Sequence, residues 1–337
     1  MPHSLTAIIT TIQEPTPSVQ GLLETLTHSH GTLLVIGDKK GPAAFTAPCA
    51  EFYSLGSQGR LPFSLAPLLP VGHYARKNLG YLVACSRRAP FLYETDDDNA
   101  PNAAWQIRSL QTRAQKVTPR PWANVYRLFR NDLIWPRGFP LELVTDPRTF
   151  LHASNIPVSQ FECPIQQGLA DLSPDVDAAW RLLLDREFFF PKEQQSVWLP
   201  PGTWCPFNSQ TTWWWPVAYP LMYLPSFCSF RMTDIWRSFI AQRCLWELGH
   251  GLVFHPAEVI QQRNEHNLLR DFEQEVPGYL QNHKIVQTLT ALSLTSGPGN
   301  VADNLMRCYE ALVAKSFIPD DELPLVKAWL ADLDCLG

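Results

Sequence analysis

The first hundred residues alternate between compact apolar runs and amphipathic segments, and this alternation constrains the fold more than any other feature. Residues 5–12 (LTAIITTI) form a β-branched run, and Ser18 is placed to cap the helix that follows. We predict strands at 5–12, 32–36, 51–55 and 91–93, and helices at 18–26 and 75–88. Such an order is typical of a doubly wound α/β sheet, in which ligands bind beyond the carboxyl ends of the strands.

Mostly polar residues stand at the carboxyl ends of three of these predicted strands. They are Thr10, Thr11 and Ile12 in the first case, Asp38 in the second, and Asp96, Asp97 and Asp98 in the third. Adjacent aspartates repel one another and raise one another's pKa unless a positive charge lies among them. Mg²⁺ or Mn²⁺ would supply that charge and would also bridge to a diphosphate. The alternative is a solvated acidic turn.

The helix before the three aspartates begins with Arg76, Lys77 and Asn78. Backbone N–H groups at a helix start favour anions, so basic residues there, close to a metal site, indicate a nucleotide-diphosphate site. On their own, Arg76 and Lys77 would more often form a solvated helix face. Neither GxGxxG nor GxxxxGK[ST] is present, which argues against a dinucleotide oxidoreductase and a P-loop enzyme.

Acidic residues in the second half are candidates for a general base. Asp234 lies at the start of a predicted helix, where an acid across a cleft from the diphosphate would deprotonate an acceptor hydroxyl. Asp175 and Asp177 are weaker candidates, because acids before a helix more often serve its N-terminus. His266 is a candidate metal ligand, although a lone helical histidine is more often only a satisfied polar residue.

Residues 198–225 combine prolines with many tryptophans and tyrosines. Aromatic walls with amides such as Asn208 and Gln210 suit a sugar, which presents apolar faces and hydroxyl edges. Aromatic residues more often fill a core, and that alternative is equally favoured for the tryptophans. The polar run around Asn208 and Gln210 points more to the sugar.

Bulk composition limits the partners. The formal net charge is −5, so nucleic acid is a poor candidate. The eight cysteines contain no CxxC pair, which favours reduced thiols over zinc or disulfides. The N-terminus lacks the pattern of a signal peptide, and no apolar run approaches the ~20 residues of a membrane span. We therefore expect a cytoplasmic protein without an integral membrane segment.

Seven motifs together give the chain a resemblance to a known family. In order they are VIGDKKGP, YARKNLGYLVA, YETDDDN, WPRGFPLE, QGLADLSPDVDA, PFNSQTT and RMTDIWR. They resemble the STELLO-like glycosyltransferases, which are similar to the reversibly glycosylated polypeptides, the plant UDP-arabinopyranose mutases. The resemblance covers roughly residues 5 to 285 and implies a GT-A type α/β fold, with a mixed, mostly parallel sheet flanked by helices and a helical C-terminal region.

The resemblance also implies roles for individual residues. Asp96, Asp97 and Asp98 would be DxD-like acids for a metal and the ribose-phosphate part of the donor. The diphosphate and the donor sugar would be lined by Arg76, Lys77 and Asn78. Asp38 would contact the nucleoside, and Asp234 would be the base. We expect a catalytic domain at 1–250 and a helical region at 251–337.

The predicted function is a Mn²⁺- or Mg²⁺-dependent transfer of a sugar from a UDP-sugar to a hydroxyl acceptor. Two alternatives stay open: a mutase or self-glycosylating protein with the same donor site, and a non-catalytic interaction protein on the same fold. Since exposed loop acids rarely carry stability, we expect replacement of Asp98 to remove donor binding without unfolding the protein.

Overall fold

The computed structural model describes residues 5–150, 156–264 and 267–336. The strands are β1 Thr6–Thr11, β2 Thr32–Gly37, β3 Ala50–Tyr53, β4 Leu92–Thr95, β5 Asn99–Pro101, β6 Gln111–Lys116, β7 Val158–Glu162, β8 Ile165–Asp171, β9 Val197–Leu199, β10 Thr211–Trp214 and β11 Leu252–Gln261. The α-helices are α1 Pro17–His28, α2 Leu55–Gln58, α3 Lys77–Ser86, α4 Val125–Phe129, α5 Ala178–Leu184, α6 Thr233–Glu247, α7 Leu268–Thr290, α8 Val301–Ala314 and α9 Glu322–Asp334.

All these strands join one sheet in the order β3-β2-β1-β4-β10-β8-β11-β9-β6-β7, and β5 pairs with β11. The first four strands in this order are mutually parallel. From β10 onward the sheet is mixed, because β10 runs antiparallel to both β4 and β8, and β8 runs parallel to β11. The predicted mixed α/β sheet with flanking helices, of the GT-A type, is confirmed.

This topology brings several carboxyl ends to one edge of the sheet. Because β10 is antiparallel to both of its neighbours, β8 points the same way as β4. The strands β2, β1, β4, β8 and β11 therefore end on the same edge, in that order. In open α/β sheets this is the edge where ligands bind.

The helix α3 packs unusually close to the sheet. A Cβ at Gly80 would lie 2.7 Å from Ile8 Cγ2 and 3.0 Å from Ile36 Cγ1, so the glycine is needed for this approach. The helix begins directly after a short 3₁₀ turn, Tyr74–Arg76. Close packing thereby holds the start of α3 against β1 and β2, and Lys77 Nζ donates to Thr95 O at the end of β4 at 2.6 Å.

The tryptophans of 198–225 belong to the core. Trp213 and Trp214 lie on β10 and are fully buried, and Trp204 is 3% exposed. Trp213 packs on Tyr93 with 4.6 Å between ring centroids. The rings of Trp204, Trp213 and Trp214 therefore fill the core, which is the alternative that the sequence analysis gave for the tryptophans.

The C-terminal region begins in the sheet. The prediction of a helical region at 251–337 is wrong at its start, because 252–261 forms β11. The segment LVFHPAEVIQ is buried on both sides of the strand between Leu252 and Phe254, which hides the alternation that identifies a half-exposed strand. The helices α7, α8 and α9 follow it.

None of the helices in the described ranges is long and apolar enough to cross a membrane.

Candidate functional site

A cavity of about 820 Å³ lies along the edge where the strands end. This volume is within the usual range for ligand sites. The three strand ends predicted from the sequence all line it: Thr10 and Thr11 at the end of β1 with Ile12 after it, Asp38 after β2, and Asp96, Asp97 and Asp98 after β4. The opposite wall comes from residues that follow β8 and β11 and from the start of α6 with the turn before it. Among them are Asp175, Arg181, Arg231, Asp234 and Arg263.

Two of the three adjacent aspartates are held by hydroxyl and ammonium donors. Asp96 Oδ1 accepts hydrogen bonds from Tyr74 OH at 2.6 Å and from Lys77 Nζ at 3.0 Å. Asp97 Oδ2 accepts one from Thr11 Oγ1 at 2.6 Å. Within the described ranges, Asp96 Oδ2 and Asp97 Oδ1 have no hydrogen-bond donor. Each carboxylate thus keeps one oxygen for a further ligand.

Asp98 is different from its neighbours. It is only 9% exposed, and its two oxygens accept hydrogen bonds from Asn99 Nδ2 and Gln261 Nε2, both at 2.9 Å. The expectation that Asp98 is an exposed loop acid was wrong, because β11 crosses beside the turn and covers it. Its replacement will therefore affect packing as well as the cavity.

Negative charge at this turn is incompletely neutralised. Burial raises the pKa of Asp96 despite the nearby Lys77, and burial and Asp96 raise that of Asp97. Burial together with the charges of Asp96 and Asp97 raises the pKa of Asp98 to about 7. A cation among these groups would favour their ionised forms.

The donor set fits a cation that is shared with a ligand. No group of three or more His, Cys, Asp or Glu side chains in the described ranges is arranged to hold a metal ion by itself. Mg²⁺ is usually bound by one or two carboxylates together with substrate phosphates, and the open oxygens of Asp96 and Asp97 match that pattern. His266, the other predicted ligand, lies outside the described residues.

The three residues at the start of α3 are placed differently from one another. Arg76 lines the cavity, but its Nε donates to Gln58 Oε1 at 2.7 Å. Lys77 is fully buried and contacts the cavity lining through its bonds to Asp96 Oδ1 and Tyr74 OH. Asn78 exchanges two 2.9 Å hydrogen bonds with the backbone of Leu224 and lies away from the cavity lining.

Asp38 organises the loop that approaches it. Its Oδ1 accepts from Gly72 N at 2.8 Å and its Oδ2 from His73 N at 2.9 Å. The rings of His73 and Tyr74 then pack edge-on to Phe230, at 5.9 and 6.2 Å between centroids. These three aromatic residues line the cavity and were not singled out from the sequence. Tyr74 directly precedes the basic residues of the YARKN segment, and the charge of those residues is the stronger signal in the sequence.

Arg137 joins the two candidate bases that line the cavity. Its Nε and Nη2 donate to the carboxylate of Asp175 at 2.8 and 2.9 Å, and its Nη1 and Nη2 to that of Asp234 at 3.0 and 2.9 Å. Burial acts to raise the pKa of Asp234, but the charge and hydrogen bonds of Arg137 outweigh it and lower that pKa. A carboxylate with a lowered pKa is a weaker proton acceptor than a free one.

Asp177 is the N-cap of α5 and lies outside the cavity lining. Its Oδ1 accepts from Trp180 N at 2.8 Å and its Oδ2 from Trp135 Nε1 at 2.6 Å. The structure thus places Asp177 as the helix-start acid that the sequence also allowed. Its burial raises its pKa to about 7.

The raised pKa of Asp177 predicts a pH-dependent stability. Between about pH 4, near its unfolded pKa of about 3.9, and about pH 7, the folded state holds the proton that the unfolded state has lost. The free-energy cost of burying the ionised Asp177 carboxylate is therefore present above pH 7 and is removed as the pH falls and the carboxylate is protonated. We expect the free energy of unfolding of the wild type, relative to Asp177→Asn, to increase by up to about 1.4 kcal/mol per unit of falling pH in that window.

Urea unfolding of both proteins at pH 8, 7, 6 and 5 measures this difference, since titration of every other group cancels. A difference that stays constant, or that decreases on acidification, would contradict the raised pKa.

The predicted sugar-contacting amides also lie away from the cavity lining. Asn208 Nδ2 donates to Asp175 Oδ2 at 2.8 Å, so Asn208 helps to hold a residue that does line it. The backbone oxygen of Gln210 accepts from Thr95 Oγ1 at 2.7 Å and ties β10 to β4. Asn208 thus supports the cavity wall through its side chain, and Gln210 through its backbone.

Part of the chain that forms this cavity is similar to a known protein family. Residues 231–337 match the family model described as STELLO glycosyltransferases. That range contains the segment that starts α6, β11 and the helices after it, including Arg231, Asp234 and Arg263 of the cavity wall.

Two curated proteins of Arabidopsis thaliana are similar over most of the chain. "Probable glycosyltransferase STELLO1" is 26% identical over 325 residues, which cover 90% of this chain and 41% of that protein. "Probable glycosyltransferase STELLO2" is 25% identical over 350 residues, covering 98% and 44% respectively. The chain thus spans less than half the length of the relatives it matches. The resemblance to the STELLO-like glycosyltransferase family that the ordered motifs indicated is confirmed.

Proposed function

We propose that this protein is a Mn²⁺- or Mg²⁺-dependent glycosyltransferase that moves a sugar from a UDP-sugar to a hydroxyl acceptor. The observation that carries the proposal is the acidic turn after β4, where Asp96 and Asp97 each present an open carboxylate oxygen to an 820 Å³ cavity. The similarity to glycosyltransferases agrees with it.

The chain's own residues would fix the donor in this cavity. Tyr74 and Lys77 hold Asp96 by one oxygen, and Thr11 holds Asp97 in the same way, so that the two open oxygens keep their direction. A bound divalent cation would there supply Lewis-acid stabilisation of the departing diphosphate. Asp38, together with the loop that it holds through Gly72 N and His73 N, would contact the nucleoside at the end of the cavity next to β2.

The base for the acceptor is a separate part of the proposal. Asp234 and Asp175 lie in the cavity, but Arg137 engages both carboxylates. Because that contact lowers the pKa of Asp234, we propose that the main role of Asp234 in the unliganded protein is to hold Arg137. A retaining reaction needs no such base and would be compatible with this arrangement.

Replacing Asp97 with asparagine is expected to weaken Mn²⁺-dependent UDP binding by about 10- to 100-fold, because one of the two open carboxylates loses its charge. Calorimetric titration of UDP with and without Mn²⁺ measures the effect. The matched control is Asp303→Asn, an exposed acid on α8, which is expected to change nothing. Unchanged Mn²⁺-dependent affinity in Asp97→Asn would contradict the assignment of the metal site.

Incubation of the wild type with a UDP-sugar and Mn²⁺ alone separates the alternatives. Ring isomers of the donor would identify a mutase, and labelled protein a self-glycosylating one. A transferase is expected to release sugar slowly to water and faster to an added acceptor. No turnover with any UDP-sugar, together with no UDP binding, would favour a non-catalytic interaction protein.

A further inference from the structure

Arg181 on the cavity wall has no carboxylate within ion-pair distance among the described residues. Arg181, on α5, is 5% exposed and lines the cavity. Its Nη2 donates to the backbone oxygen of Pro174 at 2.7 Å, and its guanidinium lies 5.6 Å from the Trp180 ring. A buried charge normally has a partner, so this one points to a ligand.

Two further arginines stand close to it. Arg231 contacts Glu275 Oε1 at 2.9 Å, and Arg263 contacts Asp271 Oδ2 at 2.7 Å. Both are mostly buried and line the same cavity. We call Arg181, Arg231 and Arg263 the arginine wall.

The arginine wall carries mutually repelling charges. Burial lowers the pKa of Arg181 to about 10, and the charges of Arg263 and Arg231 act in the same direction, against Asp175. Burial and then Arg231 lower the pKa of Arg263, against Asp271. A bound anion would reduce this repulsion and would accept hydrogen bonds from Arg181, which lines the cavity.

The strand order separates the arginine wall from the proposed nucleoside end. Asp38 follows β2, at one end of the edge, and Asp96 follows β4 in the middle. Arg181 comes after β8 and Arg263 after β11, further along the same edge. The acidic turn therefore lies between the two ends, and Gln261 of β11 contacts it through Asp98.

We propose that the arginine wall binds an anionic group, a phosphate or a carboxylate, that belongs to the acceptor. The inference rests on the proposed function, because the donor would occupy the β2–β1–β4 end of the cavity and leave the far end to the second substrate. It adds a substrate class: the acceptor hydroxyl would be carried by an anionic molecule. Arginine recognises such planar or tetrahedral anions with two parallel N–H donors.

Titration of inorganic phosphate into the protein saturated with UDP and Mg²⁺ tests this by calorimetry. The variants are Arg181→Gln, Arg181→Lys and Arg263→Gln. The matched control is Arg186→Gln, whose side chain is 51% exposed and pairs with Asp132 at 3.0 Å. Circular dichroism melting of each variant identifies any loss of fold.

Phosphate is expected to bind alongside UDP, about tenfold more weakly in Arg181→Gln and Arg263→Gln, with Arg181→Lys intermediate and Arg186→Gln unchanged. UDP affinity is expected to stay within about twofold throughout. Phosphate that competes with UDP would overturn the proposal and assign the arginines to the donor diphosphate. Unchanged or absent phosphate binding would also overturn it. Failure of the wild type to bind UDP would instead contradict the proposed function.

Discussion

Replacing Arg137 with leucine is expected to lower the free energy of unfolding by about 3–5 kcal/mol. The substitution removes the only cation that contacts both Asp175 and Asp234 among the described residues, and leaves two largely buried carboxylates close together. Removing one member of a buried ion pair costs more than the pair contributes, since an uncompensated charge stays behind. Urea unfolding at pH 7.5 measures the loss.

The pH dependence of this loss has a definite sign. In the wild type, Arg137 lowers the pKa of Asp234, so the pair contributes stability that is present above the unfolded pKa of about 3.9 and is lost as the pH falls through the lower, folded value. In Arg137→Leu the carboxyl of Asp234 can instead be protonated. The difference between the two proteins is therefore expected to be largest near neutral pH and to decrease toward pH 4.

Two further variants check the cause. Adding Asp234→Asn to Arg137→Leu is expected to recover part of the stability, because one uncompensated charge disappears. Arg87→Leu breaks an exposed pair with Glu51 at 2.6 Å and is expected to cost about 0–1 kcal/mol. If Arg137→Leu costs no more than Arg87→Leu, the three charges do not stabilise one another as described.

Replacing Arg237 with methionine is expected to cost a similar 3–5 kcal/mol, in the centre of the molecule. Arg237 on α6 is 1% exposed, and its Nη1 lies 2.9 Å from both oxygens of Glu94, a fully buried residue on β4. Burial acts to raise the pKa of Glu94, and the charges of Arg237 and then Lys77 lower it. Without Arg237, the partners of Glu94 in the described part of the chain are Lys77, at 3.8 Å, and neutral donors.

Replacing Arg237 is expected to weaken ligand binding in the cavity as well as the stability of the core. Glu94 and Asp96 share Lys77, so a Glu94 without Arg237 will draw Lys77 away from the acidic turn. We expect weaker UDP binding in Arg237→Met even at a temperature where the variant is fully folded. The matched control is the double variant Arg237→Met with Glu94→Gln, which buries no net charge and is expected to be more stable than the single variant. A single variant within about 1 kcal/mol of the wild type would contradict this account.

The parts of the site that local sequence could predict are those on β1, β2 and β4. Each has an apolar run followed at once by its polar residues, and parallel strands joined by helices bring these ends together. Thr11, Asp38, Asp96 and Asp97 therefore meet in one cavity, as the sequence indicated. The roles given to them as ligands of a metal or nucleotide remain predictions.

The sequence alone does not determine the roles of Asp175, Asp177 and Asp234, for a physical reason. A carboxylate acts as a base, a cap or an ion-pair partner according to what surrounds it, and those surroundings come from distant parts of the chain. Arg137, which holds two of them, lies 38 residues from Asp175 and 97 from Asp234. Trp135, which bonds the third, lies 42 residues from Asp177.

What the sequence by itself determined is the alternation of strands and helices and the acidic turn after β4, because both depend on neighbouring residues. Only the tertiary structure decided that Asp98 is buried and that Arg137 binds the carboxylates of Asp175 and Asp234. It also decided that Arg181 lines the cavity with no ion-paired acid among the described residues. Burial and pairing depend on how β8, β10 and β11 are ordered in the sheet. That order places residues more than a hundred positions apart within hydrogen-bond distance, and no local pattern records it.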